Sequence, residues 1–536
     1  MILDACGTSR RPPRVALARF SSTRRTTIGI IAACCFALPT GGARSVAAPP
    51  YPTLRQVAAV RLAPAYLPDD ARPAIHGPSV IGCSPGRRFL YRIPATGAGP
   101  LTFSANGLPR GLTLDSRTGT ISGSVTAAGT SSVELVASNG KERSARALRI
   151  VCGEGKSALT PPMGWQSFGL YGDAVTDAQI RDAADGLVKT GLAAHGYQYV
   201  NVGDSWQGGR DAAGNLHPNR RFPDMKALGD YIHNRGLKFG LYSAVTAQTC
   251  SGFAGSEGHE AQDAAVFASW GVDYLAFDWC PDAAGVRNVS AAELQAKFLP
   301  MGTALEKTDR DIVYAVSVGK RDPEPTDWAG KAKAATYERQ GGLYDDRKII
   351  HLYALVRRQV SDRSGPGHWD SLGPLFVGRI GFPKPRLTKL TTAEQMTQMT
   401  LWCLLSSPLF ISSDLTHLDP NLLNHYTTSL LTNDEVLAVD QDPKGETAID
   451  IGPDYSHLIW KKPLSDGRVA VALFNDTDGP AWQSVSIADL GLSGKQPVRD
   501  LWMRRDLDPA TDKFSAVVPA HGVVFIAVGR AAADTR

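Results

Sequence analysis

Between Pro161 and about residue 425, short apolar runs alternate with longer stretches in which apolar residues recur at helical spacing. Residues 197–202, 237–242, 272–277 and 312–316 predict strands. Each follows a stretch that predicts a helix, at 177–190, 225–234, 261–270 and 291–307 respectively. Strand–helix alternation of this kind builds a parallel sheet with helices laid against it. Seven or eight such units in about 260 residues suit a (β/α)8 TIM barrel better than an open doubly wound sheet. No Gly-x-Gly-x-x-Gly opens a helix after the first strand, which weighs against a dinucleotide-binding fold.

The flanking segments follow another period. Residues 76–153 carry short alternating runs (89–93, 101–104, 132–136 and 147–151) separated by Gly and Pro turns, the pattern of a small β-sandwich. The chain beyond about residue 429 loses its helical spacing. Runs at 457–460, 469–474, 484–487 and 522–527 predict an antiparallel β-sandwich extending to about 532. The expected architecture is therefore multidomain: a linker over 49–75, an N-terminal β-sandwich over 76–153, a (β/α)8 barrel over 158–428 and a C-terminal β-sandwich over 429–532.

Residues 1–48 read as a secretory signal peptide. Arg10, Arg11, Arg14, Arg19, Arg24 and Arg25 precede the apolar run 28–38, and Ser45-Val46-Ala47-Ala48 offers a small-residue cleavage pattern. The apolar run is too short to span a membrane. This segment holds seven Arg against one Asp, so most of the formal charge of +5 belongs to it. The remainder is close to neutral, and neither a nucleic acid nor a membrane is expected as partner. A secreted or periplasmic location follows, and the cysteines agree with it. Cys83 and Cys152 bracket one compact segment, Cys250 and Cys280 lie at two strand ends, and Cys403 sits alone in an apolar helical run. That reads as two disulfides and one buried thiol. No Cys-x2-Cys spacing and no local His cluster is present, so neither a metal nor a cofactor is expected.

The strand at 272–277 is apolar except at Asp273, and it ends by presenting Asp278 beside Cys280. A parallel strand covered on both faces is apolar throughout, so a carboxylate at its C-terminal end is out of character for a core. In a barrel that end carries the chemistry.

Several motifs carry a family resemblance. Pro161-Pro162-Met163-Gly164-Trp165, Gly196-Tyr197-Gln198-Tyr199-Val200-Asn201-Val202-Gly203-Asp204-Ser205-Trp206 and Gly236-Leu237-Lys238-Phe239-Gly240-Leu241-Tyr242 stand in order. So do Asp278-Trp279-Cys280, Gly365-Pro366-Gly367-His368-Trp369 and Val439-Asp440-Gln441-Asp442-Pro443. Over residues 160 to 530 the chain resembles the glycoside hydrolase family 27 α-galactosidases (melibiases). Gly107-Leu108-Pro109 through Thr118-Gly119-Thr120-Ile121-Ser122-Gly123 resembles the immunoglobulin-like modules of bacterial surface and secreted proteins.

The resemblance implies retaining hydrolysis of an α-glycosidic bond by two carboxylates. By motif, Asp278 is the nucleophile, and the family disulfide maps to Cys250 and Cys280. The implied substrate-binding set is Trp165, Asp204, Trp206, Tyr242, Arg339 and Trp369, with a carbohydrate as partner. The acid/base departs from the pattern. In the family a Trp-Arg pair is followed, four residues after the Arg, by Asp; here Glu338-Arg339 is followed at that place by Leu343. Three readings stay open: Asp345 has taken over through a loop shift, Glu338 has, or no acid exists. Other family contacts are replaced by Gly203, Ala276, Ser317 and Phe168, and an Asp-Pro-Asp by Ser371-Leu372-Gly373. Two functions are therefore weighed, a secreted α-galactosidase-like hydrolase and an inactive carbohydrate-binding pseudo-enzyme.

Overall fold

The computed structural model describes residues 72–280, 289–318, 328–338, 345, 364–381, 384–415, 425–453 and 457–531. The proposed signal peptide, most of the linker, Arg339 and Leu343 lie outside the described residues.

Eight parallel strands form the central sheet: β1 Met163–Gln166, β2 Tyr199–Asn201, β3 Lys238–Ala244, β4 Val272–Asp278, β5 Val313–Ser317, β6 Thr336–Glu338, β7 Trp369–Ser371 and β8 Leu409–Ile411. Their order is β7-β6-β5-β4-β3-β2-β1-β8, and a parallel bridge from Leu375 to Ile411 brings the two ends together, so the sheet curls into a barrel. Strand parity sorts the side chains. Leu275 and Phe277 of β4 turn outward to the helices, Phe277 meeting Phe298 with ring centroids 5.9 Å apart. Tyr274 turns inward, where it packs with Tyr199, Trp369 and Phe410.

The covering helices begin where the sequence supplies caps. Thr176, Ser290 and Thr391 each form a capping box with Gln179, Glu293 and Glu394, opening the helices Asp177–Lys189, Ala291–Glu306 and Thr392–Leu404. Each box satisfies backbone N–H groups that a helix start leaves without partners. Gly271 (φ +89°) ends Glu260–Trp270 in the left-handed region and turns the chain directly into β4.

The N-terminal module packs a four-stranded sheet on a three-stranded one around a core that includes Tyr91, Ile121, Val133 and Leu148. It docks on the N-terminal ends of the barrel strands. Gln198, just before β2, donates to the Arg92 carbonyl at 2.9 Å, and Ser84 N–H donates to Asp311, just before β5, at 2.7 Å. The C-terminal domain is antiparallel, with a six-stranded and a two-stranded sheet around Val471, Leu473, Val518 and Ile526. Disulfides join Cys83 to Cys152 and Cys250 to Cys280, and Cys403 is a buried free thiol. Among the described residues, no helix is long and apolar enough to cross a membrane.

Candidate active site

In register across the sheet, Ala244, Asp278, Ser317, Glu338 and Ser371 form one row at the C-terminal ends of β3 to β7. Two carboxylates thus point into one end of the barrel from strands that lie two strand spacings, about 10 Å, apart across the sheet. Both side chains are half-buried.

Asp278 accepts hydrogen bonds from the Tyr242 and Ser317 hydroxyls. Burial outweighs them, and with the nearby Asp204 charge it pushes the carboxyl up to about 6. The disulfide from Cys250 to Cys280 (Cα separation 4.8 Å) fastens the chain just beyond it, and the Tyr242 hydroxyl lies 3.3 Å from Cys280 Sγ. Asp204, itself buried, accepts from the backbone N–H of Ser205 at 2.7 Å and of Ser251 at 2.8 Å. Burial raises it as well. Ser205 holds that donor in place with a left-handed φ of +80°, a conformation that costs a non-glycine residue energy and clusters at functional sites.

Glu338 carries the largest shift in the row. Burial, aided by the Asp278 charge, pushes its carboxyl up to about 8. Two carboxylates whose environments set them apart differ in protonation: the lower one is an anion at neutral pH, the higher one still holds its proton. Room for Glu338 comes from the next strand end. A Cβ placed on Gly373 would already stand 3.5 Å from Glu338 Oε1, and Gly373 has a φ of +83° that a larger residue resists.

Asp204, Tyr242 and Asp278 are thus brought together as the sequence suggested. The other expected contacts are placed differently. Asp345 is bound by the Arg386 guanidinium (2.5 and 2.9 Å) and by the Lys389 N–H (2.6 Å). Although burial opposes it, this pairing holds its carboxyl below the usual range, so it has no proton to give near neutrality. Trp165, Trp206 and Trp369 are fully enclosed instead of lining an open wall. Trp165 shares its register with Val200 and Phe239 under the helices and donates to the Ser413 carbonyl. Trp206 donates to the Tyr242 carbonyl and packs on Phe267 and Trp270. Trp369 lies inside the barrel beneath the row and donates to the Ala158 carbonyl. All three indole N–H groups thus find their acceptors within the core.

Two residues of the row carry less weight in the motifs: Glu338, one of three acid/base options, and Ser317, which replaces a family contact. The signal for Glu338 was present. Like Asp278, it is a carboxylate at the C-terminal end of its strand, and the parity that turns Asp278 inward turns it inward too.

Comparison with known proteins agrees with this geometry. The α-galactosidase A family model matches residues 160–442, the α-galactosidase C-terminal β-sandwich model residues 454–528, and an Ig-domain model residues 72–151. The α-galactosidase of Cyamopsis tetragonoloba is 37% identical over 369 residues, covering 68% of this chain and 84% of its own. A Bacteroides fragilis structure described as a candidate α-galactosidase/melibiase superposes with a TM-score of 0.79 at 32% identity, covering 86% of this chain and 98% of its own. A β-L-arabinopyranosidase from Geobacillus stearothermophilus superposes with a TM-score of 0.60 at 26% identity, covering 71% of this chain and 98% of its own. Barrel, carboxylate row and C-terminal sandwich together with these matches lead to one statement: the chain belongs to the α-galactosidase family of glycoside hydrolases.

Proposed function

We propose that the chain is an exported, retaining glycosidase for terminal α-linked galactosides or closely related glycosides, with Asp278 as nucleophile and Glu338 as acid/base. The observation that carries this reading is the pair of carboxyls in one row, near 6 and near 8. Around pH 7 Asp278 is ionised and attacks the anomeric carbon, while Glu338 protonates the departing oxygen. Glu338, then ionised, takes a proton from the water that releases the sugar from Asp278. Tyr242 and Ser317 orient the nucleophile, and Asp204 is positioned to accept from a sugar hydroxyl.

Glu338 takes the place of the family's Trp, and Gly373 that of a family Asp. The two replacements fit each other, since the glycine clears the space beside the new carboxyl. The structurally similar arabinopyranosidase acts on a sugar that differs from galactose in lacking the C6 hydroxymethyl group. Loss of polar family contacts here fits a site that discriminates less sharply on such groups.

A second reading rests on Leu343 at the family acid position: a barrel that binds a sugar without turning it over. Hydrolysis of an aryl α-galactoside followed by proton NMR separates the two. The first reading expects α-galactose to appear before the β anomer, and Asp278→Asn to stop the reaction. Binding without any released sugar would overturn it and favour the second.

A further inference from the structure

Far along the chain from the row of carboxylates, three side chains from separate segments converge. His76 opens the N-terminal module, His195 closes a short turn before β2, and Asp434 is the first residue of the helix Asp434–Asp440. That helix is fastened to the C-terminal sandwich by Asn433, which donates to the Leu501 carbonyl at 2.9 Å, and by a Glu435–Arg499 ion pair at 2.6 Å. Three parts of the molecule therefore meet at this point.

The geometry is that of a ligand set. His76 Nδ1 lies 2.9 Å from Asp434 Oδ2, and His195 Nδ1 lies 2.9 Å from Oδ1 and 3.1 Å from Oδ2. One ligand atom from each residue falls within 4.8 Å of both others. Both imidazoles are buried, and they stack with centroids 5.1 Å apart, so neither turns away readily. On its far side, His76 Nε2 is 2.7 Å from Thr96 Oγ1. An outer partner of this kind is what metal-bound histidines use to fix ring orientation. The three residues also line a cavity of about 530 Å³, which gives water access to a fourth position. Three arginines line that cavity: Arg468 pairs with Asp466 and Arg499 with Glu435, while Arg146 donates to the Ile75 carbonyl.

We propose that His76, His195 and Asp434 bind one divalent transition-metal ion of the zinc class, with water as fourth ligand, and that the ion clamps the module, the barrel and the C-terminal sandwich together. Two imidazole nitrogens and a carboxylate suit zinc and its neighbours better than magnesium or calcium, which favour all-oxygen sets. Tetrahedral zinc at about 2.0–2.2 Å from each ligand sets ligand atoms roughly 3.3–3.5 Å apart. The observed N–O separations would have to open by about half an ångström, and the two imidazole nitrogens, within 4.8 Å of each other, to settle at the same spacing. Sequence spacing gave no sign of this site, because no two of its ligands are near each other in the chain.

The test uses the full chain without a polyhistidine tag, stripped with chelator and then exposed to Zn2+. Wild type is expected to retain one zinc per chain by elemental analysis and to melt several degrees higher loaded than stripped. His195→Ala and Asp434→Asn are expected to lose both the metal and the shift. Zinc content in wild type no greater than in Asp434→Asn, or a wild-type melting temperature indifferent to zinc, overturns the proposal. The stripped and loaded wild type make the comparison even if a variant fails to fold.

Discussion

Asp273 and Asp278 stand at opposite ends of β4, and they show what each face of the barrel is for. At the N-terminal end Asp273 accepts from His233 Nε2 at 2.7 Å and the Phe239 N–H at 2.9 Å, and it pairs with the buried Arg310 at 2.5 Å. Burial opposes ionisation, yet these partners bring its carboxyl down to about 2. At the C-terminal end Asp278 accepts from two hydroxyls, and burial, aided by the Asp204 charge, leaves it near 6. One face supplies each buried charge with its opposite and serves stability. The other leaves its carboxyls incompletely compensated, which keeps their protons exchangeable near neutral pH.

The contrast can be broken most sharply at its two named residues. Asp278→Asn should reduce turnover of an aryl α-galactoside by about a thousand-fold or more, with the melting temperature at pH 7 unchanged or raised. Activity close to wild type would remove Asp278 from the chemistry. Asp273→Asn should do the reverse. It leaves Arg310 buried without its counter-charge, so denaturant unfolding should show a loss of about 3–5 kcal/mol, while the folded fraction keeps its kcat. Unchanged stability would mean that the two ends do not differ as argued.

A smaller effect sharpens the comparison through pH. Between about 4.5 and 8 the folded chain keeps a proton on Glu338 that the unfolded chain has lost. Stability from this group is therefore complete below about 4.5 and falls as pH rises towards 8. Asp278 acts in the same direction, from 3.8 up to about 6. Glu338→Gln should flatten the fall between pH 6 and 8, making the variant more stable than wild type at pH 8 by about 1–3 kcal/mol. An unaltered slope would show that Glu338 ionises normally. The smallest effect belongs to Gly373→Ala: about 1 kcal/mol of lost stability from the left-handed backbone, with a modest shift in the pH at which Glu338 titrates. A pH profile identical to wild type would show that the space beside Glu338 is unimportant.

Much of the fold was legible because strands and helices alternate with distinct periods. The prediction of a strand at 272–277 met β4 at Val272–Asp278, and the helix expected at 291–307 met Ala291–Glu306. The cysteines read correctly, Cys83 with Cys152 from the compact segment they bracket and Cys250 with Cys280 from the family resemblance. Less legible in the sequence is which way side chains that share a motif face. Trp165 and Trp369 match family sugar-contact positions by motif, yet strand register sends one under the helices and the other below the row. Asp345 matched the missing acid by sequence proximity, and a bidentate arginine distant in sequence decided against it. Glu338 is tied to Asp278 and Ser317 by strand register, a relation between separate strands that no local motif carries.

The most direct test of the account is the pH dependence of kcat/KM for an aryl α-galactoside in wild type and Glu338→Gln. The account predicts a bell in wild type with limbs near pH 6 and 8, set by Asp278 losing and Glu338 keeping its proton. In Glu338→Gln the alkaline limb should vanish, and hydrolysis of an alkyl α-galactoside should fall about 10²–10⁴-fold. An alkaline limb that persists in the variant, with alkyl galactosides cleaved at the wild-type rate, would contradict the pairing of Asp278 with Glu338.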